Sequence, residues 1–215
     1  MDTKKTKDEL SRIIDDFHFQ MVVIKMCLES LYAIKEIGQD AINKRGAKNF
    51  FDIVHQSLIF RYEIELAKLF LKDGKEIKFS QITGLCCNNT EHFKSSPEEI
   101  RKLCGQISDV IKHHNKLNDN LVDRRNKALA HSDSNYYYYD KQYIEDYPID
   151  ENEINDEVEA LFSFACILQQ EIGSKGSHYH YPSQADDVKH LFNMKTKADI
   201  EDEEFDEWLN KNWSK

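Results

Sequence analysis

Glycine and proline are scarce, seven and three in 215 residues. So few turn formers leave little room for many short strands joined by tight turns, and they favour long helices. Positive charge is also in deficit. Lys and Arg number 29 against 39 Asp and Glu, a net charge of −10, so the field of the whole molecule repels nucleic acid and any RNA or DNA site has to be a local basic patch. The cysteines, Cys27, Cys86, Cys87, Cys104 and Cys166, are odd in number and show no C-x-x-C spacing, which suits a reducing cytoplasm. The lysine-bearing start MDTKKTKDEL is not followed by the apolar run of a signal peptide, and no stretch approaches the roughly 18 uncharged residues of a membrane span. The expectation is a cytoplasmic chain without membrane contact.

What is present is helical periodicity. With 40% hydrophobic residues the chain can bury a full core, and its length suggests one domain with additions. Thr6 and Glu9 form a capping-box pattern before apolar residues at Leu10, Ile14, Phe17, Met21, Ile24, Leu28 and Leu31, which predicts a long amphipathic helix ending near Gly38. A second helix is predicted from beyond Gly46 through Leu69 to the Asp73-Gly74 stop, with Arg61 and Glu63 among its apolar residues. Lys75 to Ser95 reads as a connection with at most a short helical turn. Ser96-Pro97-Glu98-Glu99 signals the start of a third helix. A break is expected at Asn118 to Asn120, where Asn and Asp side chains compete with the helix backbone, followed by a fourth stretch from Leu121 to His131. Ser132 to Pro148 reads as a long loop, and a last core helix opens at Asp150 or Asn152 and closes at Gly173. Residues 1–173 thus form the predicted domain, and 174–215 a linker and an acidic, Trp-containing tail.

The charge is uneven. Between Arg101 and His131 stand seven Lys or Arg against three Asp, about +4, and this basic stretch contains RRNKALAHSD, Arg124 to Asp133. A histidine near neutral pKa can take the proton of a ribose 2′-hydroxyl or protonate a leaving 5′-oxygen. An arginine fork can hold non-bridging phosphate oxygens and stabilise the charge that grows on them. Asn126 can orient the histidine or bond the phosphate. Such cleavage needs no metal or cofactor and leaves a 2′,3′-cyclic phosphate and a 5′-hydroxyl. The same residues equally describe a solvated basic helix end, with Arg124, Arg125 and Lys127 in water and His131 at the negative end of the dipole. On a straight helix Arg124 and His131 share a face about 10 Å apart along the axis, too far for one helix alone to close a tight cluster.

Arg125-Asn126 followed by Ala130-His131 resembles the signature of HEPN domains, the higher-eukaryote and prokaryote nucleotide-binding superfamily. The order of helices from Leu10 to Ile172 is similar too: an all-α antiparallel bundle of four to five core helices, here with an acidic C-terminal extension. The RNKALAH form and the run LAKLFLKDGKEIKFSQI look most like the abortive-infection U-type branch. The resemblance implies a metal-independent endoribonuclease of a phage-defence or toxin-antitoxin system, acting as a homodimer whose two motifs form one composite site. Carried over, Arg125 stabilises the phosphate, Asn126 supports it and His131 is the acid or base. Arg124 also meets the permitted spacing; the Arg-Asn pair favours Arg125. A cognate antitoxin or regulatory protein is an implied partner. The tyrosine that follows the histidine by two residues in some HEPN toxins is replaced by Asp133, so regulation through it does not carry over. Some members of the superfamily bind RNA without cutting it, and a non-catalytic RNA-binding or protein-interaction module is the alternative.

Arg124, Lys127, His114 and Tyr136 are the further RNA-binding candidates. The run Tyr136 to Tyr139 can stack bases or cover a core edge or dimer seam. His178-Tyr179-His180 lacks a carboxylate or thiolate at ligand spacing, so no metal site is expected. Cys86-Cys87 reads as buried or loop thiols, His113-His114 as solvated, and the acidic tail with Trp208 and Trp213 as a solvated extension or a cover for the basic patch.

Overall fold

The computed structural model describes residues 4–44, 46–72, 78–129, 141–174 and 184–194, together with Glu204, Phe205, Glu207, Trp208 and Lys211; the described residues form helices and no strand. Helix α1, Lys7–Ile37, begins where the capping pattern places it. The Thr6 hydroxyl accepts from the Glu9 amide at 3.3 Å, and the Glu9 carboxylate accepts from the Thr6 amide at 2.9 Å. That backbone bond is the main reason the Glu9 carboxyl lies below its ordinary pKa. Gly38 ends the helix at φ 80°, with its amide bonded to the Ile34 carbonyl, a backbone angle that glycine adopts without a steric penalty.

A short helix α2, Gln39–Lys44, which the periodicity did not predict, leads into α3, Lys48–Lys68. Helix α3 stops at Lys68, earlier than predicted. The Leu69 and Phe70 amides bond the Leu66 and Ala67 carbonyls and tighten the last turn, while Asp73 and Gly74 lie outside the described residues. The predicted connection contains a full helix, α4, Phe79–Asn88, and a 3₁₀ turn, Thr90–His92. Phe79, Ile82 and Cys86 step by three and four residues and are all buried. This is a helical face that the glycine and the paired cysteines obscured.

Helix α5, Pro97–His113, starts at Ser96 with the expected reciprocal cap: Glu99 amide to Ser96 hydroxyl at 3.3 Å, and Ser96 amide to Glu99 carboxylate at 2.9 Å. The predicted break at Asn118 to Asn120 is not there. Helix α6, Asn115–Arg124, runs through those residues, and the interruption falls one turn earlier at His114. Asn118 and Asn120 do not compete with their own backbone because their amides reach other elements: Asn118 the Glu157 carboxylate at 2.8 Å, and Asn120 the Pro148 carbonyl at 2.7 Å. Helix α6 then widens into a π-helical turn, Arg125–Leu129.

Helix α7, Lys141–Asp146, lies inside the predicted loop. Helix α8, Glu151–Ile172, begins at Asp150, whose Oδ1 accepts from the Asn152 and Glu153 amides at 2.7 and 3.2 Å, and ends at Gly173 with φ 67°. Helix α9, Gln184–Asn193, belongs to the stretch predicted as linker and tail, yet it lies along α1. Lys189 meets Glu36 at 2.5 Å, and the Phe192 ring stands edge-on to Phe51 of α3 with centroids 5.9 Å apart.

Helix α1 is the axis of the bundle, with α3, α8 and α9 against it and α4, α5 and α6 completing the core. Phe164 of α8 is wedged between Phe17 of α1 and Phe79 of α4, with centroid separations of 6.3 and 6.2 Å, in the tilted geometries aromatic pairs prefer. By length and composition α1 is apolar enough to cross a membrane, contrary to the reading of the sequence, but 61% of its most apolar window is buried inside the protein. Its apolar residues are core residues in this fold. Leu161 is fully buried and Leu191 of α9 is 67% exposed. We expect Leu161→Ala to cost about 2–5 kcal/mol in urea unfolding and Leu191→Ala to stay within about 0.5 kcal/mol.

Candidate functional site

Helix α6 presents Leu117, Asn118, Asn120, Leu121 and Arg124 to the interior. The spacing follows from 3.6 residues per turn: Leu117, Leu121 and Arg124 fall on one line, with the two asparagines beside it. Three of these five buried side chains are polar, and each has a partner on another element. Arg124 Nη1 donates to Glu63 Oε1 of α3 at 2.6 Å, and its Nε donates to the Tyr147 carbonyl at 2.7 Å. The arginine and glutamate side chains are 6% and 0% exposed, so this is a buried, charge-assisted pair. Tyr62, next to Glu63, has its phenol pushed well above the ordinary range by burial and then by the Glu63 charge. Asn120 bonds the Pro148 carbonyl, so residues 147 and 148 form a strap drawn onto the motif helix.

Past Arg124 the backbone changes. Arg125 and Asn126 open the π-helical turn, are half-buried, and bond one another, Arg125 Nη1 to Asn126 Oδ1 at 2.9 Å. Lys127 is exposed, donates to the Tyr147 hydroxyl, and stands over that ring 4.7 Å from its centroid. Widened turns of this kind recur at functional sites because they change the phase of the helix without breaking it. The straight-helix alignment of Arg124 with His131 therefore does not apply. His131 and Tyr136 lie outside the described residues, as do Asp133, the rest of the tyrosine run, His178 and His180.

The candidate residues thus divide. Arg125, Asn126 and Lys127 sit together at the end of α6 with access to solvent. Arg124, a candidate for RNA contact, is turned into the core and engaged by Glu63. His114, another candidate, is not solvated either: it is 8% exposed, at the start of α6, with its ring against His113 at 5.1 Å. It is buried at the α5–α6 junction. Cys86 and Cys87 are on α4 and not in a loop; burial pushes the Cys87 thiol up to about 11, which leaves it a thiol near neutral pH. Residues 147 and 148 were passed over in the sequence because nothing periodic marks them. Glu63 and Glu157 carried a signal, since each is a carboxylate at an apolar-face position of its helix.

The described residues thus form an all-α bundle that carries an Arg-Asn pair at the end of a helix tied down from beneath. A family model described as AbiU2, of the HEPN type, matches residues 7–191, and the chain belongs to that family of abortive-infection HEPN modules. The match runs past Ile172 to include most of α9. No curated protein and no solved structure matches the chain.

The burial separates the two arginines energetically. Arg124→Ala leaves Glu63 charged and buried, and we expect a loss of about 3–5 kcal/mol in denaturant unfolding. Arg125→Ala is expected to cost less than about 1 kcal/mol. Equal losses would contradict the division of roles.

Proposed function

We propose that this protein is a metal-independent endoribonuclease of a phage-defence or toxin-antitoxin system, working in the cytoplasm as a homodimer. The observation that carries this reading is membership of the AbiU2 family joined to the Arg125-Asn126 pair, half-exposed on a widened turn beside an arginine that the core has taken up. Arg125 grips the non-bridging oxygens of the scissile phosphate and stabilises the charge they gain as the 2′-oxygen attacks. Asn126 keeps that guanidinium in place through its amide oxygen. His131 takes the 2′-hydroxyl proton or protonates the leaving 5′-oxygen. The motif of a second copy supplies the other half of a composite site. Lys127 supports RNA binding as a point charge, and an antitoxin or regulatory protein holds the activity in check.

The test is purified protein with mixed RNA in EDTA, followed by chemical mapping of new ends. Wild type is expected to leave 2′,3′-cyclic phosphate and 5′-hydroxyl ends. Arg125→Ala and His131→Ala are each expected to lower the rate by about 10²–10⁴-fold with the fold intact. Cleavage that survives in His131→Ala would sink the assignment, and salt-sensitive RNA retention without new ends would make the protein a binding module. For the composite site, mixing Arg125→Ala with His131→Ala under subunit exchange should recover part of the activity. No recovery, with exchange demonstrated, contradicts a site built from two chains.

A further inference from the structure

Beneath the motif helix, Asn118 and Glu157 face each other in the core, 4% and 0% exposed. The Asn118 amide donates to Glu157 Oε1 at 2.8 Å. The remaining polar atom of each side chain, Asn118 Oδ1 and Glu157 Oε2, is buried and has no hydrogen-bond partner. Both orphans are acceptors, and two buried unsatisfied acceptors on one contacting pair are a cost the fold should not carry twice. A single proton removes both. With hydrogen on Oε2, the carboxylic acid donates to Asn118 Oδ1 while Oε1 accepts from the amide, and the two groups close a ring of two hydrogen bonds.

We infer that Glu157 is held as a neutral carboxylic acid doubly bonded to the Asn118 carboxamide, and that this pair is a proton-dependent latch between the motif helix α6 and α8. The surroundings favour the neutral form. Around it, Glu153 lies one turn back on α8 and adds negative charge. On α6, His114 lies one turn before Asn118, and Arg124 is already bonded to Glu63 of α3. On α1, Lys25 and Lys35 are drawn away to Glu159 and Glu151, each at 2.7 Å. On α5, Asp109 and Lys112 pair with each other at 3.1 Å, largely exposed. None of these groups forms an ion pair with Glu157 among the described residues. Burial first, with Glu153 adding to it and the Asn118 bond opposing, pushes the Glu157 carboxyl up to about 7 from an ordinary 4.5. Ionisation would remove the donated O–H bond and set Oε2 against Asn118 Oδ1, loosening α6 at the turn before the motif.

The sign of the effect follows from linkage. The folded state holds a proton that the unfolded state has lost, so stability falls as pH rises between the two pKa values and levels off above the folded one. Relative to Glu157→Gln, whose amide can close the same ring without titrating, the wild-type folding equilibrium constant should fall by up to about tenfold per pH unit from pH 4.5 to about 7. Infrared spectra of the full chain at pH 6 should contain a neutral-carboxyl C=O band that is absent from Glu157→Gln and fades as pH is raised through about 7. If Glu157→Gln does not fold, ¹³C labelling of glutamate side chains in the wild type decides, since one carboxyl should titrate near 7. Parallel stability curves, or no neutral carboxyl at pH 6, would overturn the latch and leave an ionised Glu157 bridged by water. Neither readout involves RNA, so the inference stands or falls apart from the ribonuclease reading.

Discussion

The bond from Arg124 to Glu63 is the constraint on which the candidate site depends. A buried ion pair is weak evidence for net stability, because removing two charges from water costs nearly as much as their attraction returns. What it fixes is phase. A guanidinium is directional, and at 2.6 Å from a carboxylate that is 0% exposed it can be satisfied in only one rotation of α6 about its axis. Consecutive residues of a helix differ by about 100°, so with Arg124 pointed at α3, Arg125 has to come out at the side. The charged neighbour in the core is thus the reason the other charge is available.

Depth and tilt are fixed in the same way. Asn118 reaches α8, Asn120 and Arg124 reach the 147–148 strap, and Lys127 closes onto the Tyr147 hydroxyl and ring. An apolar underside would tolerate small slides at little cost, since dispersion contacts are individually weak and non-directional. Hydrogen bonds weaken steeply with misalignment, and each buried donor that loses its acceptor carries a full desolvation penalty. A helix held by several such bonds along its length therefore keeps its end in one position.

The parts of the fold that were legible from sequence are those set by local chemistry. Thr6 with Glu9, Ser96 with Pro97 and Glu99, Asp150, Gly38 and Gly173 mark helix ends through bonds made within a turn, and they appear where the residues predict. Illegible were the features decided by distant partners. Asn118 and Asn120 look like helix breakers until Glu157 and the Pro148 carbonyl occupy their amides. Helix α4 was hidden because Gly84 and the paired cysteines interrupt its short apolar face. Arg124 and Arg125 are chemically equivalent in the sequence; the carboxylate of Glu63, 61 residues earlier, and the Tyr147 carbonyl set Arg124 apart. The clue was present, since an acid on the apolar face of α3 asks for a buried cation.

The π-helical turn gives the doubled arginine its sense. In an unbroken α-helix the residues after Arg124 would continue its phase, and every third or fourth would return to the core. Widening the turn at Arg125 by one residue shifts that phase just past the last residue the ion pair controls. The turn still packs against α3, and its root stays anchored by Arg124. A rigid base with a re-phased end suits a polar pair that stands half-exposed at the end of a helix whose Leu117, Asn118, Asn120, Leu121 and Arg124 are buried. The buried arginine anchors the turn, the half-exposed one is open to solvent, and neither could do the other's work from its own position.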